Sequence, residues 1–185
     1  ALAGVGVDDL AHIDVYSCFP SAVQIAAHEI GLGTDRPLTV TGGLSFAGGP
    51  WNDYVTHSIA TMADRLRADA GSIGLVTANG GFLTKHAFGV YSTTPPPNGF
   101  RTRDVQAEVD ALPSRELAEE HDGPVTVETS TVMFGRAGDA ERGIVAALLP
   151  DGRRAWGTST HPDLLATLTT EETAGRAGHV ASNGD

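Results

Sequence analysis

Cysteine is almost absent: Cys18 is the one cysteine in 185 residues. The chain can therefore form no internal disulfide, and it can build neither a zinc cluster nor the cysteine framework of a small secreted domain. The cytosol is the expected compartment. Basic residues are also scarce, 12 Lys and Arg against 23 Asp and Glu, for a net charge of -11. That is the wrong sign for affinity won by neutralising phosphates, so nucleic acid is not an expected partner. Aromatic residues make up only 6%. No stretch approaches the roughly 18–20 apolar residues that span a bilayer. The start, Ala1-Leu2-Ala3-Gly4-Val5-Gly6, has neither a Met nor the basic segment of a signal peptide, and the sequence reads as one that begins inside a longer protein. What is present is 41% hydrophobic and 19% charged residues with 23 Gly and 10 Pro, the profile of a folded, turn-rich domain.

The two halves differ in texture. Residues 1–100 hold 14 of the 23 Gly and carry 4 basic against 8 acidic residues; the remainder carries 8 against 15. Between them, Pro95-Pro96-Pro97 removes three donors, so no helix or central strand can run through. The expected organisation is a first domain over 1–97, a linker with some helix over 98–122, a second domain over 123–170 and a frayed tail over 171–185. In the first half, His12 to Tyr16 reads as a strand and Ser21 to Ile30 as a helix stopped by Gly31. Leu38 to Thr41 reads as a second strand, followed by a glycine loop from Gly42 to Pro50. Asn52 to Ala70, with Val55, Ile59, Met62 and Leu66 on one face and Asn52 as cap, is the clearest helix. Ile73 to Thr77 and Ala87 to Ser92 read as two further strands around Asn79-Gly80-Gly81. This is an α/β layered pattern. The second half changes period: Val125 to Phe134, Glu141 to Leu149 and Arg153 to Thr158 read as strands and Pro162 to Thr169 as a short helix, with Gly123-Pro124 as a break, which suits a small antiparallel, OB-like β-barrel.

Three motifs in order, Tyr16-Ser17-Cys18-Phe19 before a helix, Thr41-Gly42-Gly43 through Gly48-Gly49-Pro50, and Gly74 to Gly81, resemble the C-terminal half of a thiolase. Within that superfamily the chain is similar to sterol-carrier thiolases and thiolase-like proteins of type 1, which also carry an additional C-terminal domain. The resemblance implies a thiolase fold, coenzyme A thioesters as substrate with no further cofactor, and acyltransferase chemistry of the acetyl-CoA acetyltransferase kind. It also implies a missing N-terminal half that bears the nucleophile, without which this chain would be inactive. That half and an acyl-CoA are the expected partners, with a second copy of the chain as another. The motifs are altered: Gly49 stands where the family has the histidine of Gly-His-Pro, and Asn79 stands at or beside the cysteine of Cys-x-Gly. Cys18 matches the cysteine of the sterol-carrier motif, which is not the nucleophile.

Against that background His86, beside the chain's single lysine Lys85, is the best replacement for the absent imidazole, although a surface turn carries such residues as readily. Tyr16 could do acid or base work, as in a retro-aldolase, or could serve as a strand tyrosine. Asn79 cannot transfer a proton at neutral pH. Cys18 precedes a helix, where a thiol pKa can fall, yet lone cysteines are more often small buried hydrophobes. Gly42, Gly43, Gly48, Gly49 and Gly80 would let backbone approach a substrate closely, and Asn52 opens a helix whose N–H groups could receive a thioester oxygen; tight strand-to-helix packing needs small residues equally. His57 reads as a helix-face residue. His12, His28, His121, His161 and His179 show no ligand spacing, so no metal is expected. For the second domain, a charge of -7 and only Phe134 and Trp156 as platform aromatics argue for docking rather than oligonucleotide binding. A non-catalytic acyl-CoA or lipid-binding protein is the competing reading of the whole.

Overall fold

The computed structural model describes residues 2–181, which fall into two compact units, one up to Asp104 and one from Val105 onward. In the first unit, strand β1 (His12–Asp14) runs parallel to β2 (Ile73–Gly80), and β2 pairs on its other side with antiparallel β3 (Lys85–Ser92). The crossover between β1 and β2 carries helices α1 (Pro20–Ile30), α2 (Leu44–Ala47) and α3 (Tyr54–Ala68). Successive residues of a strand face opposite ways. Leu75 of β2 accordingly joins Ile13, Val15 and Ala27 in a core against α1, while Val76 joins Met62 and Leu66 of α3. Helix α1 opens on Pro20, where a missing N–H costs nothing, and closes on Gly31 at φ 80°, whose amide reaches the carbonyls of Ala27 and His28.

Three expectations change here. Leu38 to Thr41 forms no strand, because after one strand-like bond from the Val15 amide to the Leu38 carbonyl the amides of Val40 and Thr41 turn to the carboxylate of Asp14, at 3.0 and 3.3 Å. Within the expected glycine loop, residues 44–47 coil into α2. The residue before α3 is Asp53 rather than Asn52, and no side chain caps that end; the Asp53 carboxylate lies 3.7 Å from His57 instead.

In the second unit, a short helix α4 (Gln106–Asp110) precedes β4 (Gly123–Phe134), β5 (Ala140–Leu148), β6 (Arg154–Ser159), α5 (Pro162–Thr170) and β7 (Ala177–Val180). The strands form one antiparallel sheet in the order β6-β5-β4-β7. The barrel expected here does not close among the described residues. Its last strand extends the sheet beside β4 instead of returning to β6, whose outer side is met only by a bridge from Leu117 to Arg154. Residues 171–181, expected as a frayed tail, thus supply an ordered strand, with Ala177 opposite Thr126 and Val180 opposite Gly123; Ser182 to Asp185 lie outside the described residues. Gly123 and Pro124, expected as a break, belong to β4. Proline is tolerated there because its segment lies ahead of the first β5 pair, Thr126 with Leu148, and has only β7 beside it. Ala118, Val125, Ala147, Leu149 and Ala155 form the core, and Leu165 and Leu168 of α5 pack where a side chain on Gly143 would stand. No helix of the described residues is long and apolar enough to cross a membrane.

Candidate functional site

The chain leaving β1 and the loop leading into α2 enclose a cleft of about 320 Å³, lined among others by Ser17, Cys18, Phe19, Gly42, Gly43 and Phe46. Its walls are set by a network that the sequence did not announce. Asp14, the last residue of β1, has no solvent exposure. One oxygen of its carboxylate accepts from the Tyr54 hydroxyl at 2.9 Å. The other accepts from the Thr39 hydroxyl at 2.9 Å, the Thr41 hydroxyl at 3.3 Å and the two amides already named. So many donors offset the cost of enclosing a charge. Tyr54 is likewise fully buried, and its phenol is pushed above the ordinary 10.0, first by burial and then by the adjacent Asp14, against the opposing hydrogen bond with Thr41.

Thr39 carries the network onward to the glycines. Its hydroxyl oxygen accepts the amides of Gly42 and Gly43 at 3.1 and 3.0 Å, and the Thr41 hydroxyl accepts that of Gly43 as well. The Gly42-Gly43 amides are therefore engaged inside the protein, and what this pair contributes to the cleft is close approach. Gly43 sits at φ 78°, and a Cβ there would stand 2.7 Å from the Ser17 hydroxyl, which itself accepts the Leu44 amide at 3.0 Å.

Asn79, outside the cleft lining, donates from Nδ2 to the Cys18 sulfur at 3.4 Å, while its Oδ1 is buried with no partner among the described residues. An amide so placed holds the sulfur by a hydrogen bond and moves no proton itself. Tyr16 is tied by its backbone amide to the Thr77 hydroxyl at 2.9 Å, and its ring meets that of Tyr54 edge to face, 5.3 Å between centroids.

Tyr16, Cys18, Gly42, Gly43 and Asn79 are thus brought together, and the remaining candidates are not. His86 is exposed on β3: its Nε2–H donates to the Leu83 carbonyl at 3.0 Å, which leaves Nδ1 as the basic nitrogen, and its ring stacks on Phe88. The β2–β3 register does place it directly opposite Asn79, with Gly80 opposite Lys85. Gly48, Gly49 and Asn52 are exposed beyond α2 and do not line the cleft. Large apolar side chains of this unit also stand in solvent: Phe46 is 85% exposed, Trp51 93% and Phe82 89%. Trp51 at φ 53° and Leu83 at φ 61° hold left-handed backbone that costs a non-glycine residue about 1 kcal/mol or more. Among the described residues no cluster of three or more His, Cys, Asp or Glu is placed to hold a metal.

Residues 104–185 match the thiolase-like protein type 1 additional C-terminal domain. A crystal structure of a monomeric SCP2-thiolase like protein type 1 from Mycobacterium smegmatis superposes on 97% of this chain with a TM-score of 0.88 and 38% sequence identity. This is a thiolase-like protein with an additional C-terminal domain. The thiolase-like chain spans 40% of the length of that solved relative. No curated protein matches it. The superposition covers both units, so the three-stranded and the four-stranded sheet belong to the shared fold.

Proposed function

We propose that this thiolase-like chain supplies one side of a coenzyme A thioester site and works with a complementary thiolase half that carries the nucleophile, in an acyltransferase of the acetyl-CoA acetyltransferase kind. The observation that carries the reading is the cleft lined by Cys18, Gly43, Phe19 and Phe46, together with the solvent-facing aromatics Phe46, Trp51 and Phe82 of the same unit. Apolar surface left in water is unfavourable at about 25 cal/mol per Å², which supports a partner surface there. In this reading the thioester lies against Cys18 and Asn79, Gly43 gives it room, and Tyr16 closes the wall toward Tyr54. For the additional domain, whose strands lie in an acidic unit, a protein-docking role is favoured over nucleic acid.

A second reading rests on a specific observation: Gly49 stands where the family's base belongs, and Asn79 offers only an amide. A protein that binds acyl-CoA without turning it over fits those two positions. His86 would be the base of the catalytic alternative, and Tyr16 that of a retro-aldolase. Titrating acetyl-CoA against the chain while following Trp emission separates these readings. Saturable quenching that Gly43→Val abolishes, with no release of free coenzyme A, is expected of the chain alone. Binding unaffected by Gly43→Val would remove the cleft from the reading. Release of coenzyme A thiol that His86→Ala abolishes would overturn the inactivity of the isolated chain.

A further inference from the structure

A second cleft, of about 260 Å³, shares only Thr39 with the first and is lined by His12, Arg36, Pro37, Val40 and Arg65 among others. Residues 1–100 contain four basic side chains, Arg36, Arg65, Arg67 and Lys85, and two of the four converge here. Arg67, Arg115, Arg153, Arg154 and Arg176 each have a carboxylate within 4 Å, whereas among the described residues Arg36 and Arg65, like Arg101, Arg136 and Arg142, have none; what sets Arg36 and Arg65 apart is that they line the same cleft. The two also differ usefully from each other. Arg36 is half-buried and fastened, one Nη2 donating to the carbonyls of Leu10 and Ala11, so its remaining N–H groups are held in place. Arg65, on the last turns of α3, is exposed and has no fixed partner.

The nearby acids do not cancel them. Asp69 is paired with His12 at 2.9 Å, and Asp14, behind Thr39, has its oxygens occupied by five internal donors. Guanidinium forks match the oxygens of phosphate and carboxylate. The volume is that of roughly nine waters at ~30 Å³ each, more than a bare anion needs, and Pro37 and Val40 give apolar surface beside the charges.

We propose that this cleft binds the phosphoryl group of a small organic phosphate monoester, with Arg36 as the fixed and Arg65 as the closing contact. The site is separate from the proposed thioester cleft and stands whether or not that reading does.

The test is a titration of the 15N-labelled 185-residue chain at constant ionic strength with inorganic phosphate, glycerol 3-phosphate and acetate in turn. Both phosphates are expected to shift the amides of His12, Val40 and Arg65 to saturation, glycerol 3-phosphate more tightly, with acetate weaker by about tenfold. Arg65→Gln should weaken phosphate binding by about tenfold, since one set of charge-assisted bonds is lost, and Arg65→Lys should weaken it less. Arg67→Gln, whose guanidinium already faces Asp64 at 3.1 Å, should change nothing. Shifts scattered over Arg142, Arg153 and the other surface arginines, an equal response to acetate, or an Arg65→Gln protein that titrates as the wild type would each overturn the proposal. Should Arg65→Gln fail to fold, the shift map of the wild-type chain and the Arg65→Lys series decide.

Discussion

The most consequential single residue is Asp14, because its carboxylate, wholly removed from the solvent-accessible surface, collects hydroxyl donors from Thr39, Thr41 and Tyr54 and two backbone amides. Replacing it by Asn turns one acceptor into a donor facing donors. Asp14→Asn should therefore cost about 3 kcal/mol or more in a urea titration, and it should open the Cys18 cleft because the Thr39 bonds to Gly42 and Gly43 lose their anchor. Tyr54 gives the same network a pH signature. Its phenol keeps its proton in the folded protein after the unfolded chain has lost it, so its contribution is complete below pH 10.0 and falls as the pH rises beyond it toward the raised folded value. Thermal melts between pH 9 and 11 should show that decline, and Tyr54→Phe should flatten it. Ser58 is the opposite case. It is fully buried in α3 with a hydroxyl that finds no partner among the described residues, so Ser58→Ala should stabilise the unit by about 1 kcal/mol.

At the scale of elements, β6 is fastened across β5 to β4 by a bidentate pair, Arg154 Nε and Nη2 to Glu128 at 2.6 and 2.8 Å, with Arg115 3.7 Å from the same carboxylate. The hydrogen bonds from Arg154 hold the Glu128 carboxyl below its usual 4.5. A lowered folded pKa contributes stability that is present above pH 4.5 and is lost as the pH falls through the folded value. Acid unfolding of the second unit should start at higher pH in Arg154→Met than in the wild type, with Glu128→Gln showing the weakest pH dependence of the three. In the first unit, Met62 of α3 fills the place where a side chain on Gly74 of β2 would be, so Gly74→Ala should cost about 1–3 kcal/mol; a cost unchanged in a Met62→Ala background would refute that steric account.

The same elements mark how far the sequence could be read. Helices α1 and α3 and strands β1 to β6 follow from periodicity and from Gly31 and the glycine turns, because burial against a neighbour imposes a local pattern. The strand expected at Leu38–Thr41 had the composition of a strand, but its amides are claimed by Asp14, a partner 26 residues away that no local pattern reveals. Within the site, Cys18, Gly43 and Asn79 were singled out from motif spacing, whereas nothing marked Tyr54 within the helix expected from Asn52 to Ala70. His86 drew notice for its chemistry, and what the sequence could not convey is that its ring faces outward toward Leu83 and Phe88.

For the molecule as a whole, the division at Asp104 and Val105 separates two cores built on different logic, a mixed sheet between helices and an antiparallel sheet of small residues. The second unit produced alone from Val105 should fold, with a strand-rich circular dichroism spectrum and a cooperative melt; a spectrum without cooperative loss would show that its core depends on more than these residues. Within it, β7 has a practical bearing that its four residues do not advertise. It occupies the backbone edge of Gly123 to Thr126, and a chain stopped after α5 would leave those donors and acceptors open as a template for a neighbouring chain. Shortened versions should turn turbid on concentration and gain dye-binding fibrils where the 185-residue chain stays clear, so β7 serves as a guard against self-assembly.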